Sequence, residues 1–380
     1  MNLHLDARQP AQRAIDLRRG RSPDVRILAC GTYDFLLSLH VVLASPDTDY
    51  ADYDVGHAWI ESARERCATV NPDVLATLGR YLGDGKPGSL HATLISMVAQ
   101  CPEPRETQQF LAWLRTVPAL DLAEALLDQE GLGSDWQALL EQALVVGQGE
   151  HQAVATLVSR YPADLRETVE DVVRRPEDAR AALIDALEVW DAAVFSHERD
   201  HVIQAIERDA ETLERQRREM PHDRFMQFAM HGVEWQRPAG LRSIVFAPSA
   251  FCGPAVFYHF WRGTLTFCYP VQSAPFQAES PGRDPRAPSD QTLRFFEALG
   301  DQTRLRILRL LSEREMYLTE LADHLGLTKA TTKHHMVRLR ASGMVTLYDR
   351  DRMTYYAINS GVARHAGQLL DEYLGRGSGA

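Results

Sequence analysis

The sequence predicts a mainly α-helical protein with a small β component, divided into two units. Three observations carry this expectation. Apolar residues recur at three- and four-residue spacing through most of the first 220 positions, and short runs rich in Val, Phe, Tyr and Thr follow up to position 270. Residues 270–289 then break both patterns with five prolines, Pro270, Pro275, Pro281, Pro285 and Pro288.

The chain has 380 residues, is 45% hydrophobic and 24% charged, and carries a formal net charge of -11. That composition excludes disordered, collagen-like and membrane-embedded classes, and the length holds about two or three cores. The first 22 residues are charged throughout and lack the apolar stretch of a secretory signal. The most apolar early run, residues 35–44, includes His40 and falls well short of the ~20 residues that span a bilayer, so it reads as a buried helix. The cysteines Cys30, Cys67, Cys101, Cys252 and Cys268 are odd in number and scattered, which gives neither a disulfide framework nor a cysteine zinc site. A cytoplasmic location with no membrane partner is expected.

Helical periodicity marks residues 35–44, 88–100, 106–117, 120–129 and 134–146, and the longest run covers 176–219. The runs at 241–249, 255–261 and 264–270 read as a short antiparallel sheet that closes a helical N-terminal domain, with Arg262 and Gly263 at one turn. The expected organisation is an N-terminal sensor or dimerisation domain over 1–269 and a proline-rich linker over 270–289. A compact module over 290–375 and a short tail over 376–380 complete it. Residues 290–380 carry a net charge of +2, so the acidity resides in residues 1–289, at -13. An acidic whole chain therefore leaves room for a nucleic-acid-binding module, because phosphate responds to the local field of one face.

Within the C-terminal module the order is helix (292–300), helix (303–313), helix (318–326), a turn at Gly326 and Leu327, helix (328–343), two alternating strands (344–349 and 352–359) and a last helix (362–374). That order is a winged helix-turn-helix. Leu318, Leu321, Ala322 and Leu325 make one apolar face, Gly326 allows the sharp turn, and Thr328 caps the next helix. Thr332, Met336 and Leu339 fall at i, i+4 and i+7 and face the core. The other side presents Lys329, Ala330, Lys333 and His334, small at the closest approach with donors around it, which suits a major groove. Thr328, Thr331 and Arg338 complete the expected DNA-facing set, and His335 is expected to pack half-buried.

The segment Ala298–Leu308, with Glu320-Leu321-Ala322, Gly326-Leu327-Thr328, His334-His335-Met336, Leu339 and Gly343-Met344-Val345, resembles the ArsR-like bacterial regulators. The resemblance covers about the last 90 residues. It implies a transcriptional regulator, expected to be a repressor, that acts as a homodimer on a double-stranded DNA operator. Two recognition helices would read half-sites about one helical turn apart, with wings on the flanking phosphates. This chain departs from the family pattern in having Gln302 in place of a frequent Pro, and Thr332 in place of the common Val of the recognition helix. The turn Tyr348–Arg352 is the expected wing tip, with Arg350 and Arg352 on phosphate. Phe295, Phe296, Leu369, Leu370 and Tyr373 form the expected dimer face, and coverage of the N-terminal domain of the same chain is the alternative use of those side chains.

Metal chemistry enters twice. Many family members place a thiolate box where this chain has Met316–Ala322, which contains no cysteine, and none follows Cys268, so no family-type metal site and no cofactor are expected. The second case is His197-Glu198-Arg199-Asp200-His201, which matches the H-E-x-x-H spacing of zinc hydrolases. Its intervening Arg-Asp pair and the charged run behind it read instead as a solvated or salt-bridged helix face. A zinc hydrolase carrying a DNA-targeting module is thus the competing class, and a winged helix used only for protein contacts is a third.

Residues 25–270 are also similar to the uncharacterised N-terminal region attached to some ArsR-like regulators, through Tyr33–His40 and the runs 244–249 and 264–270. That likeness implies no chemistry. The aromatic set Phe251, Phe257, Tyr258, Phe260, Trp261, Phe267 and Tyr269 reads as core, with an apolar pocket for a small-molecule effector as the alternative.

Overall fold

A computed structural model describes residues 23–43, 55–83, 91–127, 134–146, 151–161, 163, 165–230, 238, 240–252, 256–271, 288, 290–350, 353–358, 366–367, 370–371 and 373–374. The chain begins with a strand, β1 (Asp24–Ile27), which enters helix α1 (Gly31–Leu43). A series of helices follows: α2 (His57–Val70), α3 (Val74–Leu82), α4 (His91–Met97), α5 (Thr107–Thr116), α6 (Ala119–Leu127), α7 (Ser134–Val146), α8 (His151–Ser159), α9 (Arg166–Arg174) and α10 (Pro176–Trp190). Among the described residues, each expected helical segment of this part overlaps one of them. The apolar run around residue 39 is buried on nearly all sides within α1, as its lack of a polar face requires.

The long run over 176–219 is continuous but not uniform. Pro176 opens α10 at a position where its missing N–H costs nothing. A π turn at Asp191–Phe195 then leads into α11 (Ser196–Glu219), followed by α12 (His222–Ala229). The turn buries the Asp191 carboxylate, which accepts hydrogen bonds from Arg199 Nη2 at 2.8 and 3.0 Å and from Gln108 Nε2 at 2.8 Å. A buried charge is tolerated there because it is paired on both oxygens.

The strands β2 (Ser243–Ser249), β3 (Phe257–Trp261) and β4 (Thr264–Pro270) include the antiparallel hairpin expected from sequence, β3 with β4. Arg262 and Gly263 form its turn with φ of 45° and 81°, the positive values that a two-residue hairpin turn needs. The sheet is larger and more mixed than expected. Its order is β1-β2-β4-β3, and both β1–β2 and β2–β4 pair in parallel. Alternate strand residues enter two cores, as the two-residue period requires. Val245, Ala247, Trp261 and Cys268 join the large helical core that contains α1, whereas Ile244, Phe246, Leu265 and Phe267 pack with Phe225 and Met226 of α12. The aromatic set belongs to these cores, with Phe257, Tyr258 and Phe260 partly buried at their margins.

A third core is drawn entirely from Phe295 onward. It joins α13 (Asp290–Leu299), α14 (Gln302–Glu313), the short strand β5 (Met316–Tyr317), α15 (Leu318–Leu325), α16 (Lys329–Ala341), β6 (Val345–Arg350) and β7 (Met353–Ile358). The sheet order β5-β7-β6 adds a strand that sequence periodicity did not mark, since two residues show no alternation. The proline-rich linker, apart from Pro270, Val271 and Pro288, and most of the expected last helix lie outside the described residues.

Candidate nucleic-acid interface

The helix-turn-helix is built from local rules that the sequence states openly. Helix α15 ends at Gly326, whose φ of 67° and ψ of 33° are left-handed, and Leu327 N donates back to Ala322 O at 3.0 Å. Thr328 then caps α16 by accepting from Thr331 N at 3.1 Å. Glu320 closes the other end of α15 by accepting from Tyr317 N at 3.1 Å while pairing with Arg314.

Helix α16 divides as its pattern predicts. Thr332, Met336 and Leu339 are buried. Thr332 stands where a Val is common, and its hydroxyl is satisfied by donating to Thr328 O at 3.0 Å, so the substitution leaves no orphaned polar group. Thr328, Lys329, Ala330, Thr331, Lys333, His334 and Arg338 are all exposed. The first four occupy the N-terminal turn and its cap, with Lys333 and His334 one turn on. This concentrates cationic and hydrogen-bonding side chains at the end of the helix that enters a groove in such motifs.

Two positioning contacts escaped sequence reasoning because they link side chains to helix ends distant in pattern. Arg304 donates from Nε to Ala298 O at 2.7 Å and from Nη2 to Glu297 O at 2.6 Å, tying the end of α13 to α14. Asp301 caps α14 and faces His335 of α16, whose side chain is half-buried as expected.

Tyr348, Asp349 and Arg350 pair with Tyr355, Thr354 and Met353, so β6 extends to Arg350, within the segment expected as the wing tip. Arg350 ends β6, and Arg352 lies outside the described residues. Of the expected dimer face, Phe296, Leu370 and Tyr373 are exposed and Leu369 lies outside the described residues. Phe295 is a correction. It is 1% exposed because α13 turns it into the module's own core, where it meets Phe296 edge-to-face.

The H-E-x-x-H segment is a salt-bridged helix face. Glu198 accepts from Trp59 Nε1 at 3.0 Å and pairs with Arg66 at 3.3 Å, which anchors α11 to α2. His197 and His201 are exposed. Among the described residues no group of three or more His, Cys, Asp or Glu is placed to hold a metal ion, and no helix is long and apolar enough to cross a membrane.

Residues 301–346 match the family model described as "Bacterial regulatory protein, arsR family". The HTH-type transcriptional regulator CmtR of Mycobacterium tuberculosis is 39% identical over 82 residues, 21% of this chain and 70% of that protein. The transcriptional repressor SdpR of Bacillus subtilis is 26% identical over 82 residues, covering 22% of this chain and 91% of the relative. The cadmium resistance transcriptional regulatory protein CadC of Listeria innocua is 33% identical over 67 residues, 17% of this chain and 56% of the relative. No solved structure matches the chain.

Proposed function

The chain belongs to the arsR family of bacterial regulatory proteins and is a DNA-binding transcriptional regulator; on that premise we propose that it is a cytoplasmic homodimeric repressor whose recognition helix is α16. The observation that carries this reading is the two-sided character of α16. One side is locked into the core by Thr332, Met336 and Leu339, and the other offers Lys329, Lys333, His334 and Arg338 to solvent.

In this reading Thr328, Thr331 and Lys329 contact phosphate near the helix N-terminus, Ala330 permits close approach, and Lys333 and His334 reach base edges. Arg338, Arg350 and Arg352 meet phosphates further along and at the wing. Phe296, Leu369, Leu370 and Tyr373 cover one another across a two-fold axis, which spaces the recognition helices for a palindromic site. Residues 290–375 form the DNA-binding module, and the part before the linker senses a signal. A ligand that favours one spacing of the helices would change operator affinity by its differential binding.

The test is selection of bound fragments from random duplex DNA by the full chain. An enriched, roughly palindromic site supports the proposal. Absence of any enriched site, with no salt dependence of binding, would assign the module to protein contacts.

A further inference from the structure

Two imidazoles lie next to each other in the N-terminal part. His40 lies near the end of α1 and His91 opens α4, with ring centroids 5.6 Å apart and planes inclined at 45°. His91 is 1% exposed. His40 Nδ1 and both ring nitrogens of His91 are buried without a hydrogen-bond partner.

A neutral imidazole carries one N–H donor and one lone pair, and a buried polar group left unmatched opposes folding. Both rings are held neutral by burial, His40 at about 4 and His91 well below its ordinary range, where the His40 ring adds a smaller effect. Neutral histidines with free lone pairs are metal ligands in waiting. With one nitrogen of each ring turned to a common point, a metal about 2.0 Å from both would be held at a bent angle of about 125° at this ring separation, as in a three-coordinate site completed by a further ligand.

The donor set also selects the ion. Two neutral imidazoles bring no negative charge to an ion. The cost of desolvating an ion rises with the square of its charge, which disfavours a divalent cation in a buried neutral site. A monovalent late transition metal with nitrogen affinity and a low coordination number meets these conditions. We propose that His40 and His91 form a binding site for monovalent copper. Thiols are the competing ligands: all five cysteines are buried, and burial pushes Cys30 up to about 12 and Cys67 to about 11, so these two would have to give up a proton to bind.

The experiment titrates the full-length protein anaerobically with Cu(I) against a chromophoric Cu(I) chelator and records X-ray absorption of the product. The expected result is one tightly held Cu(I) per chain, with a first shell of nitrogen scatterers. His91→Phe and His40→Phe each weaken it at least tenfold. The phenyl replacements remove the unmatched nitrogens while keeping bulk, and thermal melting of each apo variant is measured first to establish folding. A sulfur-dominated shell, uptake unchanged in both folded variants, or preferential retention of Zn(II) overturns the proposal. The readout is metal binding alone, so its failure is distinct from failure of the operator reading.

Discussion

Nδ1 of His335, on α16, lies 3.7 Å from Oδ1 of Asp301, and the same carboxylate oxygen caps α14 by accepting from Arg304 N at 2.8 Å. One side chain therefore starts α14 and steadies α16. Asp301→Ala is expected to cost about 1 kcal/mol through the lost cap, whereas Asp301→Asn keeps an acceptor and removes only the charge. The Arg304 amide, aided by the Arg304 and His335 charges, holds the Asp301 carboxyl below its usual range. A depressed folded pKa contributes stability above the unfolded value near 4, and that contribution is lost as pH falls through the folded value. Denaturant melts of the wild type and Asp301→Asn between pH 3 and 6 should converge toward acid. Parallel curves would remove Asp301 from the account.

Asp34 behaves in the opposite sense. Its Oδ1 accepts from Ser249 Oγ at 2.9 Å and Ala250 N at 2.7 Å, yet burial pushes its carboxyl up to about 7. The folded state then holds a proton that the unfolded state releases, so this stabilisation is full below about pH 4 and is lost as pH rises through 7, on the order of 4 kcal/mol. Asp34→Asn should gain on the wild type as pH rises from 4 to 8, read by chemical denaturation. A stability difference that stays constant across that range would contradict the buried-carboxyl reading.

Burial holds His40 and His259 at about 4, and this acts against folding in acid. Their contribution is present above the unfolded value near 6.5 and is lost as pH falls toward 4. His259 Nδ1 bonds Ser96 Oγ at 2.9 Å across the sheet-to-α4 contact. His259→Gln should therefore flatten the acid limb of the stability profile between pH 6.5 and 4. An unchanged acid limb would mean that His259 does not titrate on unfolding.

Glu198 and His197 separate the structural and catalytic uses of their helix. Replacing Glu198 by Ala leaves Trp59 Nε1 and Arg66 without their shared acceptor and should cost about 1–3 kcal/mol. His197→Ala, at an exposed position, should stay within about 0.5 kcal/mol. The two unfolding midpoints decide between these uses, and a larger effect at His197 than at Glu198 would revive a metal role.

Phe296 is 37% exposed and Tyr373 49% exposed, large apolar surface for a proposed dimer to cover. Phe296→Glu with Tyr373→Glu should shift sedimentation toward monomer and weaken operator binding together. Unchanged mass with unchanged affinity would place the two-fold contact elsewhere.

The C-terminal module was legible because its signals are local: Gly326 for the left-handed turn, Thr328 for the cap, and Thr332, Met336 and Leu339 for the buried side. The exposed face of α16 followed by subtraction. Phe295 was misassigned because adjacent aromatics give no clue to which one turns inward. In the N-terminal part the helices were visible by period, but β1 is four residues long and pairs with β2 more than 200 positions away. Parallel pairing of that kind leaves no mark in a local window. The proximity of His40 and His91 likewise depends on how α1 and α4 pack.

The measurement that tests the central claim most directly is affinity for a selected operator at two salt concentrations, in the wild type and in Lys333→Ala/His334→Ala. The account predicts binding that weakens as salt rises, and a double variant that loses discrimination for the selected site by about 1–3 kcal/mol and has a shallower salt slope. Equal affinity and equal slope in the two proteins would contradict the assignment of α16 as the DNA-reading helix.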